Sequence, residues 1–133
     1  MKTLLPAGWP QPKGFAHGIV AEGSTIWVAG QIGCDEAGNF AADLPGQIEQ
    51  ALRNIVAILA AAGAGPSQVV RLTWYMLDLA DYVASLKDIG AAYRRVMGRH
   101  FPTMTVIEVK RLVEARALVE IEATAVVDPG DRK

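Results

Sequence analysis

The nine residues Val69-Val-Arg-Leu-Thr-Trp-Tyr-Met-Leu77 constrain the fold most. β-Branched and aromatic side chains predict a strand here. Its alternate sets are Val70, Leu72, Trp74, Met76 and Val69, Arg71, Thr73, Tyr75, Leu77, and neither is strongly polar. A strand of that kind needs cover on both faces.

The rest of the chain supplies cover for only one. From Gly46 to Ala62, Ile48, Leu52, Ile55 and Leu59 recur at helical spacing, with Gly63 as the C-terminal cap and Gly65-Pro66 beyond it. A second helix is predicted over about 80–97, with Val83, Leu86, Gly90, Tyr93 and Met97 on one face. Gly18–Gly23 and Thr25–Ile32 read as strands joined by a Gly-Ser turn into a hairpin. Cys34–Pro45 is a loop, and Thr103–Val109 and Ala117–Val127 are the last two strands, joined by Lys110–Arg116. Met1–Gly14 reads as an irregular arm, and 128–133 as a frayed tail. The predicted order β-β-α-β-α-β-β is a single α+β domain over residues 1–133, with two helices on one face of a mixed sheet. The other face calls for a second copy of the chain.

Composition narrows the function classes. The chain has 133 residues, 51% of them hydrophobic and 20% charged, which excludes a disordered polymer. Thirteen Lys and Arg against 14 Asp and Glu leave a net charge of −1, too little for a broad phosphate-binding surface, so nucleic acid is not an expected partner. One cysteine, Cys34, and two histidines, His17 and His100, have no metal-ligand spacing, and no metal or cofactor is expected. No apolar run reaches membrane-spanning length. The prolines of the arm interrupt any secretory core, so the expected location is the cytoplasm. No phosphate-binding loop or nucleophile elbow is present.

Glu120 and Glu122 are the notable acids. They lie in Leu118-Val-Glu-Ile-Glu-Ala-Thr124, where period two puts both carboxylates and Thr124 on one face. Burying a carboxylate costs several kcal/mol unless it is paired. Such a strand therefore either faces water, opposite a Lys or Arg, or lines a cleft as a general acid or base. Gly30 before Gln31 allows close backbone approach, or simply ends a strand. His17 is a donor or proton shuttle, or an exposed residue at a strand start. Trp27, Trp74, Tyr75 and Tyr93 read first as core or subunit contacts. Cys34 reads as an ordinary thiol.

Several segments together resemble the reactive-intermediate deaminase family, the RidA or YjgF-type proteins. They are Ala29-Gly-Gln31, Gln47, Asn54, Ala62-Gly63, Val69–Asp78, Phe101-Pro102, Ile107-Glu-Val109 and Val119-Glu-Ile-Glu-Ala123. The resemblance runs from about Gly14 to Val127. It implies a chorismate-mutase-like subunit in a trimeric barrel, with small-molecule clefts between subunits. It also implies hydrolysis of enamines and imines to keto acids and ammonia. In that family the first glutamate of this strand positions water, which assigns Glu120 as catalytic. An arginine two residues after the Phe-Pro proline clamps the substrate carboxylate, and that position is Met104 here.

Other family positions differ as well. The usual serine is Ala29, the tyrosine Phe15, the asparagine Gly90, and the small or Cys residue Val106. With His17, Gly30, Gln31 and Trp74 these make up the candidate substrate-binding set. A bidentate arginine–carboxylate contact is worth about 1.5–3 kcal/mol. Its loss weakens a small acid by about 10- to 150-fold. The expected pocket is more apolar. It suits a ligand without a carboxylate at that spot, or one whose acid group is held elsewhere; Arg71, Arg111 and Arg116 are the candidate holders, and nothing in the sequence places them. Three functions follow: a deaminase of altered, less acidic preference; a non-catalytic trimer binding a metabolite or partner protein; and, weakest on charge, a ribonuclease or translation inhibitor, with Arg94, Arg95 and Arg99 beside His100 decorating the outside of the second helix.

Overall fold

A computed structural model describes residues 1–131. The expected α+β architecture is the observed one, a mixed sheet with its helices on one side. The strands are β1 (Lys2–Leu4), β2 (Gly18–Val20), β3 (Ser24–Ile32), β4 (Val69–Met76), β5 (Thr103–Glu108) and β6 (Val119–Val127). The helices are α1 (Leu44–Ala61), α2 (Leu79–Ala84) and α3 (Leu86–Met97). The main sheet has four strands rather than five, in the order β3-β6-β4-β5. Only the β4–β5 pair is parallel.

The fifth strand is missing because the expected hairpin does not form. β2 pairs with β1, so the arm carries a strand and is not wholly irregular. β3 instead pairs with β6, Ser24 opposite Val127. Gly23, at φ +140°, explains the choice: a Cβ there would collide with the Val127 carbonyl. The glycine serves close approach to β6 rather than a turn.

α1 begins two residues earlier than its apolar stripe suggested. Asp43 caps it, accepting from the Gly46 N–H at 2.9 Å, and Pro45 sits in the first turn. Ile48, Leu52, Ile55 and Leu59 are all fully buried, as their spacing required. Each contributes about 1.5–3 kcal/mol by leaving water. Gly63 ends the helix at φ +72°, its N–H donating to the Ala60 carbonyl while that of Ala64 donates to Leu59. These are the two hydrogen bonds of a Schellman motif.

The second predicted helix is two. Ser85 (φ −107°, ψ 12°) leaves the helical region, and its N–H is shared between the Asp81 and Tyr82 carbonyls. The break rotates the helical phase. Tyr93 and Met97 are buried as expected, but Val83 and Leu86 are exposed, and Ile89 and Ala92 take their place in the core. The tail also differs: Pro129–Asp131 forms a 3-10 turn, and the remainder of the frayed-tail expectation lies outside the described residues.

β6 alternates buried and half-buried residues along its length. Val119, Ile121, Ala123 and Ala125 join Leu72, Trp74 and Met76 of β4 in the helix-covered core. The opposite face is open. It carries Trp27, Ala29, Arg71, Thr73, Tyr75, Glu120, Glu122 and Thr124, a mixed surface rather than the apolar one expected. No described helix is long and apolar enough to cross a membrane.

Candidate functional site

Glu120 and Glu122 project together from β6 onto the open face, as period two demanded. No lysine or arginine pairs with either acid among the described residues. Glu122 instead accepts a 2.6 Å hydrogen bond from the Tyr75 hydroxyl. That bond, then burial and the nearby charges of Glu122 and Glu120, hold the Tyr75 phenol above its ordinary range. Glu120 is half-buried, and its carboxylate makes no hydrogen bond or ion pair among the described residues.

The backbone beside Glu120 is shaped for it. A bulge in β3 between Val28 and Gln31 leaves Ala29 and Gly30 outside the regular ladder. A Cβ on Gly30 would come within 2.8 Å of Glu120 Cδ. The glycine thus lets the carboxylate lie on the backbone. The same bulge turns Gln31 to the other side of the sheet, where it lines a recess with Asn54 and Cys34. Gln31 therefore does not share the Glu120 surface.

Met104 also lies elsewhere. It pairs in register with Leu72, and Val106 with Trp74, which puts both on the helix-covered face. Met104, Trp74, Gly90 and Arg94 line a cleft of about 290 Å³ between the sheet and α2–α3. Its aromatic wall is Trp74, Tyr93 and Phe101, with Tyr93 stacked between the other two at 6.3 and 5.5 Å. The Tyr93 hydroxyl donates to the His100 carbonyl, and burial pushes its phenol far above the usual value. Trp74 is 3% exposed, and its indole N–H is a buried donor with no partner among the described residues. Trp74 is thus both core and cleft wall.

Phe15 and His17 form a third group. The His17 ring meets Trp9 and Phe15 edge-on at 5.0 and 5.1 Å. Phe15 lines a hollow of about 330 Å³ with Leu4, Arg99 and Phe101. Phe101 belongs to this hollow and to the Met104 cleft, so the two adjoin.

The candidate residues therefore fall into separate sets within one protomer. Gly30, Ala29 and Glu120 share the open face. Gly90, Met104 and Trp74 share the helix-side cleft, with Phe15 next to it. Arg94 was missed as a cleft residue. Its spacing of four from Gly90 was the available signal, because such residues stack on one helix face. The run Arg94-Arg95 is not one basic patch: Arg95 is engaged by Glu49 at 2.7 Å, and Arg53 by the same acid at 2.9 Å.

Two sequence motif residues proved structural. The Gln47 side chain donates to the Ala41 and Arg116 carbonyls and accepts from the Leu118 N–H. Asn54 donates to the Ile32 and Cys34 carbonyls. They fix α1 against the ends of β3 and β6.

Residues 10–127 match the model of the family described as Endoribonuclease L-PSP. A 2-iminobutanoate/2-iminopropanoate deaminase of Salmonella typhimurium is 35% identical over 130 residues, covering 94% of this chain and 97% of that protein. A Rid family protein of Yersinia pestis, YyfB, superposes with a TM-score of 0.79 at 32% identity, covering 95% and 98% of the two chains. Escherichia coli TdcF, solved with bound serine, superposes with a TM-score of 0.69 at 30% identity, covering 96% and 100%.

Proposed function

The chain belongs to the RidA/YjgF family, described as Endoribonuclease L-PSP, and on that premise we propose that it is a hydrolytic enamine or imine deaminase that works as a homotrimer. The observation carrying the reading is the state of Glu120. A half-buried carboxylate, unpaired among the described residues and laid over Gly30, is available to hold a water molecule. In the proposed reaction this water adds to the imine carbon as Glu120 accepts its proton. That proton passes to nitrogen to give the carbinolamine; Glu120 then relays the carbinolamine hydroxyl proton to the amine, the C–N bond breaks as the C=O bond forms, and a ketone and ammonia leave. An imine carbon is already electrophilic, so positioning and one proton acceptor suffice.

The trimer completes the site. Glu120 and the Met104 cleft lie on opposite faces of the sheet, so one protomer does not present both to one ligand. In the proposed assembly the open face of one protomer packs against its neighbour and brings Glu120 to the neighbour's cleft. Trp27, 78% exposed on that face, is an apolar contact for such packing. The serine-bound relative supports a small-molecule ligand. Met104 in the cleft and Phe15 in the adjoining hollow give the recognition end an apolar character. This favours a ligand without a carboxylate beside Met104, or one whose acid group is held elsewhere. A ribonuclease reading gains nothing from the surface, where Arg95 and Arg53 are already paired.

The test is ammonia release from imines generated by amino-acid oxidases. Wild type should accelerate release from at least one imine, and Glu120→Ala should abolish the acceleration. No acceleration across a broad panel, or an unchanged rate in the variant, refutes the reading.

A further inference from the structure

We propose that Arg94 supplies the anion clamp of the cleft, so that the acid group of the ligand is held from α3 rather than from β5. The inference rests on the cleft being the ligand site. Gly90 and Arg94 are one helical turn apart, and the Arg94 side chain folds back over Gly90. A Cβ on Gly90 would sit 3.3 Å from Arg94 Nη1. A larger residue at 90 would fill the space the guanidinium now occupies. The Arg94 side chain makes no ion pair or hydrogen bond among the described residues, whereas that of Arg95 beside it is engaged by Glu49.

The remaining polar groups of the cleft have the same sense. Trp74 walls the cleft, and its buried indole N–H has no hydrogen-bond partner among the described residues. Tyr82, whose hydroxyl makes no hydrogen bond among the described residues, also lines the cleft. No carboxylate side chain lines it. A cation in the lining with no acid beside it to neutralise it matches an anionic ligand group. Leu86, Ile89 and Met104 complete the lining with apolar surface. The ligand class is therefore a small carboxylic acid with a branched or aromatic body. Met104 packs the body, and Arg94 holds the acid.

The binding test uses the keto acid of leucine and its methyl ester, titrated calorimetrically into wild type, Arg94→Ala, Arg94→Lys and the double variant Arg94→Ala/Met104→Arg. Arg94 is exposed and unpaired among the described residues, so its replacement leaves the fold intact, which circular dichroism verifies. Wild type should bind the acid more tightly than the ester. Arg94→Ala should lose about 10-fold or more in acid affinity with the ester unaffected. Arg94→Lys should retain part of the preference, and Met104→Arg should restore the acid affinity lost in Arg94→Ala. Equal affinity of wild type for acid and ester, absence of acid binding, or undiminished acid binding in Arg94→Ala overturns the proposal. Ammonia release is assayed on the same samples. An acid preference that depends on Arg94 in a protein that releases no ammonia supports the clamp and refutes only the hydrolytic reading.

Discussion

Glu120 on β6 lies over the α-carbon of Gly30 in the β3 bulge, close enough that a Cβ there would approach Glu120 Cδ to 2.8 Å. The contact links a backbone irregularity to the proposed water-holding acid. Gly30→Ala should displace the carboxylate while leaving the core untouched, because the atoms in the way are the end of one side chain. Displacement by about 1 Å costs on the order of 100-fold in rate. Steady-state kinetics should show that loss in kcat with an almost unchanged melting temperature. A fully active variant would mean the carboxylate does not need this seat.

If Glu120 and the cleft come from different protomers, two inactive variants should rescue each other. Met104→Trp fills the cleft but keeps Glu120. Glu120→Ala keeps the cleft. Refolded together, they should regain roughly a quarter of wild-type turnover, since random mixing pairs an intact cleft with an intact acid at that frequency. Each alone should be inactive. Lack of rescue despite mixed assembly would place both groups on one protomer.

All three tyrosines of the chain are shifted upward from an ordinary value of 10. The hydrogen bond to Glu122 leads for Tyr75, and burial leads for Tyr82 and Tyr93. The folded protein therefore keeps protons that the unfolded chain releases. Their stabilising effect is complete below about pH 10 and declines as pH rises through the folded values. Ultraviolet titration should show little tyrosinate at the usual pH, then a steep rise coinciding with loss of helical circular dichroism. A tyrosine that titrates near pH 10 in the intact fold would contradict this. Tyr75→Phe should make the alkaline loss of stability shallower.

Much of this molecule was legible locally. The Ile48–Leu59 stripe, the Gly63 stop and the parity of Glu120 with Glu122 depend only on the period of one element, and all three appear in the fold. What depended on distant partners was not legible. The hairpin failed because Gly23 meets Val127, more than 100 residues later in the chain. The single long helix failed because Ser85 resets the phase. Period two fixed sides within β5 and within β6, but not between them. Placing Met104 opposite Glu120 needed the Leu72–Met104 and Tyr75–Glu120 registers through β4. Arg94 read as surface charge because the adjacent Arg95 suggested a solvated run, although its spacing of four from Gly90 placed both on one helix face.

Gly90 presents a conflict between stability and binding that one substitution resolves. It lies inside α3, where glycine costs about 0.5–1 kcal/mol relative to alanine because more backbone freedom is lost on folding. No positive φ requires glycine there. The neighbour that an added Cβ would crowd is the flexible tip of Arg94, which can withdraw by a few tenths of an ångström at little cost. Gly90→Ala should therefore raise stability by about 0.5–1 kcal/mol in denaturant unfolding. If Arg94 must lie over Gly90 to hold an acid, the same variant should bind the keto acid of leucine more weakly and its ester unchanged. A gain in stability with undiminished acid binding would show that the glycine is not retained for the guanidinium. A loss of stability would show that the space above Gly90 is less yielding than an arginine tip allows.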